Sequence, residues 1–401
     1  MLELENALAQ IFANITPLPG EIIKVERSLD RVLSKPVIAP CDLPMFDNSA
    51  MDGFAVRSGD LRSASATYPV RLRLTETIPA GECSVSPINP GACARIFTGS
   101  SLPVGADAVV MQEEVSRQGP DGCEILFSKA VTPWENVRFH GEDVKRMDVV
   151  ASVGDRVTLP RLTLFAALGI TELTCACVPS VAVLATGSEL RDPGEPLAAG
   201  TIYETNRMAI AALVERCNGK AEIFPIIPDD AKATEVALRR ALVDFDVVIS
   251  TGGVSVGEFD FVKQAFDRLG GQLAFWRVAI KPGKPLVFGR WQTKLFFGLP
   301  GNPVSAWVTF LLLVRPALLR MQGMTNLSPN RLSARLGEVF QNTSDRRHFV
   351  RVKVDSAGEA RSAGIQASHI LSSLAGADGL VEVPAQSTLQ CGSMVSVIPL
   401  G

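Results

Sequence analysis

Three stretches concentrate residue types that bind anions. The first follows the apolar run FDVVIST and reads GGVSVGEFDF from Gly252 to Phe261. Gly252, Gly253 and Gly257 let backbone amides turn toward an anion with no Cβ in the way, and a helix opening just beyond adds its positive end. The spacing matches neither GxxxxGK[ST] nor GxGxxG, so neither a P-loop nor a Rossmann assignment follows. A tight strand-to-helix turn competes with the phosphate cradle, although Ser255, Glu258 and Asp260 bring more polarity than a turn requires. The second stretch, AIKPGKPLVFG, sets Lys281 and Lys284 around a Pro-Gly turn, where both ammonium groups can approach one anion or simply face solvent. The third, FFGLPGNPVSAW, runs through Pro300, Gly301 and Asn302 to Pro303, a favourable first helical residue with exposed amides ahead of it, or else an ordinary turn.

Carboxylates recur beside these loops. Glu189 in VLATGSEL and Asp229 and Asp230 in PIIPDD each follow an apolar strand-like run, and Asp260 follows the glycine loop. Mg²⁺ prefers one or two carboxylates completed by water and phosphate oxygens, which this scatter would suit. Helix capping near Ala231 is the rival use for Asp229 or Asp230. A different puzzle is PMFDNSAMDGFAV, Pro44 to Val56, which mixes Asp47, Asn48 and Asp52 with Phe46, Met51, Phe54 and Val56 without helical or strand periodicity. Asp47, Asn48, Ser49 and Gly53 would all serve a turn.

The elements that must position these residues divide the chain into blocks. At 401 residues it exceeds one usual core, and about three or four domains are expected. LENALAQIFANI and KVERSLDRVLSKPVIAP carry apolar residues at helical spacing, the second ending at Pro36. From about Cys41 to Phe139 short β-type runs alternate with Pro and Gly, and helical character returns in PRLTLFAALGI, with Gly169 placed to stop it. From Pro179 to Gln322 the runs SVAVLAT, AEIFPII, FDVVIST, LAFWRVAI and KLFFGLP alternate with helix-like segments. That rhythm predicts an α/β domain with a parallel sheet, whose ligands bind beyond the carboxyl ends of the strands. The tail, with HFVRVKV and GSMVSVIPL, reads as a small β domain. The expected partition is a helical or extended domain from 1–41 and 140–178, an inserted β-rich domain 42–139, an α/β domain 179–326 and a C-terminal β domain 327–401.

Composition narrows the function. Lys and Arg total 39 against 42 Asp and Glu, so no broad basic field points to nucleic acid or an anionic membrane, and any anion site must be local. MLELENALAQIF lacks the features of a signal peptide and no run reads as a membrane span, so a cytoplasmic protein is expected. Eight cysteines without a CxxC pair, and only three histidines, disfavour a zinc site and suggest reduced, mostly buried thiols. Cys175 and Cys177 read as packing residues.

As a set, FDNSAMDGFAV, RIFTGSSLPVGADAVVMQEE, GEDV, ATGSEL, STGGVSVGEFDF, AIKPGKP, GLPGNPVS and ASHI resemble, in identity and order, the motifs of the molybdopterin molybdenumtransferase family, which includes the corresponding domain of gephyrin. The resemblance spans nearly the whole chain. It implies insertion of molybdenum from molybdate into adenylylated molybdopterin with Mg²⁺-assisted release of AMP. It implies an elongated homodimer whose active site lies between the α/β domain of one subunit and the β-rich module of the other, with transient contacts to the adenylyltransferase and to cofactor-receiving enzymes.

In that light Asp52, Thr98 and Asp143 resemble residues acting across the subunit interface, with Phe46, Met51 and Phe54 as apolar anchors. Gly252, Gly253, Ser255, Pro300, Asn302 and Pro303 match phosphate and pterin contacts. Glu189, Asp229 and Asp260 match Mg²⁺ and adenylyl positions. Lys281 and Lys284, joined by Arg351 and Ser368, would suit molybdate, although Arg351 alone could be an exposed strand charge. Two departures stand out: Ser188 where many relatives have Asp, and Pro228 where Arg is common. An adenylyltransferase and a non-catalytic cofactor-binding scaffold are the rival functions.

Overall fold

The computed structural model describes residues 1–118, 122–253 and 261–400. Helix α1 (Leu4–Ala13) buries Leu4, Ala7 and Ile11, the i, i+3, i+7 stripe expected of an amphipathic helix. It docks on the α/β core, in one cluster with Val181, Val247 and Phe297. The second run expected to be helical is not. Val25–Arg27 makes a single 3₁₀ turn, and the chain then extends through Val37–Ile38. Its apolar residues are used by tertiary pairing: Gly20–Lys24 pairs antiparallel with Glu172–Ala176, and Val37 opposes Ala151. Val25, Leu33 and Val37 share a core with Val157, Phe165 and Cys175, and Phe165 lies in α2 (Leu159–Ala167), which Gly169 follows at φ +70°. Segments on either side of the β-rich stretch therefore meet in one core.

Between them, a six-stranded sheet runs Ala108–Met111, Gly53–Val56, Ala92–Ile96, Val70–Ile78, Glu124–Phe127, Val115–Gln118 in spatial order. Phe54 is buried in it, edge-on to Phe127 at 6.3 Å. It is a core residue rather than the surface anchor the sequence suggested, whereas Phe46 and Met51 are exposed.

The α/β domain holds β1 (Ser180–Ala185), α3 (Asn206–Arg216), β2 (Lys220–Ile223), α4 (Ala231–Asp244), β3 (Val247–Thr251), α5 (Phe261–Arg268), β4 (Gln272–Trp276), β5 (Val287–Trp291), β6 (Lys294–Leu299) and α6 (Pro303–Met321). The sheet order is β2-β1-β3-β6-β5-β4. The first four strands are parallel, and β5 and β4 extend them antiparallel. The β3 strand and most of β1 and β6 are buried end to end, as a sheet covered on both faces requires. Helix α6 is long and apolar enough to cross a membrane by length and composition, contrary to the sequence reading, but 78% of it is buried in the protein. A π turn at Phe310–Val314 precedes Pro316, which has no N–H to give the regular ladder.

In the C-terminal domain, strands Arg347–Val354, Glu359–Ser362, Leu332–Leu336, Met394–Pro399 and Gly379–Val383 close on themselves through the pairing of the first with the last. Ile280–Lys281 adds to that sheet beside Arg347 and His348. The eight thiols are all free, but only Cys93, Cys175 and Cys217 are buried, fewer than expected.

Phe297 is fully buried at the centre of the α/β sheet, 5.1 Å from Phe288. Phe297→Ala is expected to destabilise the protein by about 3–5 kcal/mol, read as a lowered urea midpoint for loss of far-UV circular dichroism.

Candidate active site

The carboxyl ends of β1, β3 and β6 open into a cleft of about 650 Å³. Glu189 from the loop after β1, Gly252 and Gly253 after β3, and Pro300, Asn302 and Pro303 after β6 all line it, so six of the candidate residues meet in one concavity. The loops touch backbone to backbone. A Cβ on Gly252 would stand 2.9 Å from the Thr186 carbonyl oxygen, and one on Gly253 2.9 Å from Thr186 Oγ1 and 2.8 Å from Val262 Cγ2. Both glycines also have positive φ, +80° and +62°, which disfavours any side chain there. Ser255 and Asp260 lie outside the described residues.

One wall of the cleft went unrecognised in the sequence. Tyr203, Glu204, Thr205 and Asn206 line it, on the strap between β1 and α3. Glu204 is buried and accepts from the backbone N–H of Asn206 at 2.7 Å, Arg207 N–H at 3.1 Å and Arg207 Nε at 3.0 Å. A carboxylate over the first amides of a helix is favoured by their dipoles. Arg207, also buried, donates onward to Asp192 and to the Phe224 carbonyl. Asn206 Nδ2 donates to the Gly301 carbonyl at 2.8 Å, tying this strap to the loop after β6. The polar tetrad YETN just before an apolar helix was the available signal, because such residues favour caps.

The acidic residues separate by role. Asp230 is the N-cap of α4, accepting from Ala233 N–H at 2.7 Å. Asp229 Oδ2 accepts from Ser188 N–H, and Asp229 N–H donates to Ser188 Oγ, both at 3.0 Å. Ser188 thus does structural work, holding Asp229 beside the residue that precedes Glu189. Among the described residues no cluster of three or more His, Cys, Asp or Glu could hold a metal by itself.

The cationic candidates lie to one side. Lys281 and Lys284 do not line the cleft, whereas Pro285 does. Arg351 is fully buried, not an exposed strand charge. Its Nη2 donates to the carbonyls of Ile365 and Ala367 at 2.8 and 3.2 Å, while Nε and Nη1 have no partner. It fixes the loop that carries Ser368, whose carbonyl accepts from Val304 N–H in the first turn of α6, and His369, which lines the cleft. Buried His348 opposes Lys281 in the sheet. Burial, reinforced by Lys281, Arg351 and Arg346, pushes its imidazole down to about 4. Lys281, Arg346 and Arg351 thus form a positive neighbourhood around a neutral His348.

Asp52, Thr98 and Asp143 lie outside the lining of the cleft. The exposed Asp52 Oδ1 accepts from both the backbone N–H and the hydroxyl of Thr98 at 2.8 Å, which holds its carboxyl below the usual range, helped by Arg95. Buried Arg95 stands 5.1 and 5.0 Å from the ring centres of Phe54 and Phe97 and donates to the Gly53 carbonyl. The exposed Asp143 donates its N–H to the Leu43 carbonyl, and Gly141 N–H donates to Pro44, so GEDV runs alongside the start of PMFDNSAMDGFAV.

An α/β domain with a glycine-lined cleft, flanked by a β-rich module and a closed C-terminal β domain, places the chain among multidomain α/β proteins whose site lies at the carboxyl edge of a parallel sheet. Three family models match in series: the MoeA N-terminal region (domain I and II) over residues 2–169, the probable molybdopterin binding domain over 182–320, and the MoeA C-terminal region (domain IV) over 333–400. The molybdopterin molybdenumtransferase of Haemophilus influenzae is 37% identical, with 100% of this chain and 98% of the relative covered. Molybdopterin molybdenumtransferase 2 of Mycobacterium tuberculosis is 40% identical over 95% of this chain and 94% of its own. The crystal structure of the molybdopterin biosynthesis moeA protein from Pyrococcus horikoshii OT3 superposes with a TM-score of 0.86 at 30% identity, covering 99% of both chains. The chain belongs to the molybdopterin molybdenumtransferase family.

Asp230→Ala is expected to cost about 1 kcal/mol of stability through the lost cap, seen as a lower melting temperature with unchanged activity. His348 gives a pH signature. Its proton is bound by the unfolded chain below about 6.5 but by the folded one only near 4. Stability is therefore fully present above the unfolded value and falls as pH drops through that window. Urea midpoints from pH 7 to 4 should decline less steeply in His348→Gln than in the parent.

Proposed function

We infer that this enzyme inserts molybdenum from molybdate into molybdopterin, the activity its relatives' names carry. Above all, six candidates from three separate loops converge on one cleft at the carboxyl edge of the sheet. Amide-rich glycine loops suit a phosphate-bearing ligand, and the strap Tyr203–Asn206 supplies a wall for a planar one. The pterin substrate is taken in adenylylated form, its phosphates against Gly252, Gly253, Ser255 and the amides ahead of Pro303. Molybdate approaches from the side of Lys281, Lys284, Arg351 and Ser368, where fixed positive charge can offset its two negative charges as water is displaced.

Molybdate oxygens leave as water when the dithiolene sulfurs bind the metal, and hydrolysis of the pyrophosphate link releases AMP. The protein's part is positioning and electrostatics, without a covalent intermediate. Mg²⁺ fits as an ion shared with substrate phosphates rather than caged by protein. Glu189 and Asp229 on adjacent loops, with Asp260, would hold it, and it would supply charge neutralisation at the phosphates.

Asp52, Thr98 and Asp143 complete the site from a second copy. Support comes from the fixed, exposed carboxylate of Asp52 and the exposed Met45, Phe46, Met51, Trp134 and Phe139 near it in the same module, an apolar surface of the kind that partners cover. The free state of all eight thiols fits a reducing, cytoplasmic setting.

The direct test incubates the purified protein with adenylylated molybdopterin, Mg²⁺ and molybdate and follows AMP and cofactor formation. Adenylylated molybdopterin and pyrophosphate formed from ATP and molybdopterin without molybdate would instead indicate an adenylyltransferase. Asp52→Ala and Glu189→Gln should each abolish most activity. Co-refolding the two variants should restore about one quarter of wild-type activity if subunits share sites, since half the dimers are mixed and each has one intact site. No recovery, with dimers formed, would assign both residues to one chain's site.

A further inference from the structure

A second concavity, of about 390 Å³, lies where the segment after the Val149–Ala151 strand, helices α3 and α6, and the end of the C-terminal domain meet. Arg156, Arg216 and Arg315 line it, with Asn330 and Leu400 and no carboxylate side chain among the described lining residues. Arg156 pairs with Asp30 at 2.9 Å on the exposed side. Arg315 is half-buried and donates only to the Leu327 carbonyl at 3.1 Å, and neither it nor Arg216 has an ion pair among the described residues. Asp378 lies on an adjoining groove that also touches Arg216 and accepts from the Val354 N–H at 2.8 Å, and no ion pair joins it to Arg216 among the described residues. The thiol of Cys217 at the back of the pocket is no counter-ion, because burial pushes it up to about 11 even with all three guanidinia beside it. Burial, and to a lesser degree the charge of Arg156, weakens the hold of Arg315 on its proton.

Three guanidinia gathered around one cavity, only Arg156 of them ion-paired among the described residues, repel one another unless an anion joins them. We propose that this pocket binds a compact phosphoryl polyanion, gripped by Arg156, Arg216 and Arg315 together. The planar forks match phosphoryl oxygens, three positive charges call for more than one negative charge, and the volume is that of a small-ligand site. Because the arginines come from three parts of the fold, the ligand locks those parts together. The site is separate from the cleft and does not depend on the function inferred for it.

Pyrophosphate is the probe, titrated calorimetrically into the full chain at low ionic strength. The wild type should show a binding event that Arg216→Gln weakens roughly tenfold and Arg216→Gln with Arg315→Gln abolishes, while Arg216→Lys loses less. Pyrophosphate should raise the melting temperature of the wild type more than that of the variants. Arg216→Gln should leave molybdenum transfer unchanged, which separates this pocket from the catalytic one. If Arg315→Gln fails to fold, Arg216→Gln on the exposed end of α3 decides. Identical pyrophosphate isotherms for wild type and Arg216→Gln, or citrate binding as tightly as pyrophosphate, would overturn the assignment.

Discussion

The molecule is organised by the close approach of three backbone segments at one edge of a parallel sheet. Thr186, Gly252 and Gly301 succeed adjacent strands, and the position of a Gly301 Cβ lies 3.7 Å from Gly252 Cα. At that distance the main chain itself forms the floor of the cleft, and its amides are the groups offered to a ligand. Parallel pairing makes this possible, because it brings successive strand ends to the same edge. The antiparallel β4 and β5 lie at the far side of the sheet and contribute only the segment that leads through Lys281 and Lys284.

Charge is then added from outside the sheet. The C-terminal domain closes into a ring of strands, and Arg351 inside it is buried with only one of its three guanidinium nitrogens bonded. That arrangement is unfavourable by itself, since an unsatisfied buried donor costs about 1–3 kcal/mol. Its bonds to Ile365 and Ala367 nevertheless set the loop that leads through Ser368 to α6 and through His369 to the cleft. A cation buried one layer behind the site therefore both raises the local potential and fixes the geometry of the wall.

What the sequence disclosed followed from how local each signal was. Glycine and proline loops after apolar runs were legible because strand end, turn and helix start are contiguous, and Gly252, Pro300 and Asn302 fell where expected. Asp230 was separable from Asp229 only in space, since both stand at plausible cap positions and the Ser188 contact is 41 residues away in sequence. The run at Lys24–Pro40 kept a helical pattern of apolar residues, yet pairing with residues 149–176 overrode it, as tertiary contacts commonly do. Glu204 and Arg207 were invisible because a buried ion pair three residues apart looks identical to a solvated one on a helix face. The burial of Arg351 was illegible for the same reason: HFVRVKV alternates as a half-exposed strand would, and closure of the strand ring buries both faces.

The stretch Pro44–Val56 shows how function can be separated from turn chemistry. A turn needs only local bonds, and two are present: Asn48 Nδ2 donates to the Phe46 carbonyl and Ser49 Oγ to the Met51 carbonyl. Asp52 is held by something more distant. Both donors of Thr98, 46 residues away, point at one of its oxygens, and beneath them a guanidinium lies buried between Phe54 and Phe97 with no carboxylate of its own. Sequestering Arg95 from water is unfavourable, and offsetting it with ring faces and carbonyls restores only part of its hydration. A surface loop gains nothing from that arrangement. An exposed carboxylate that must present its free oxygen in one direction, ionised at neutral pH, gains orientation from Thr98 and field from Arg95, and those are the two properties a group completing a site on another molecule requires.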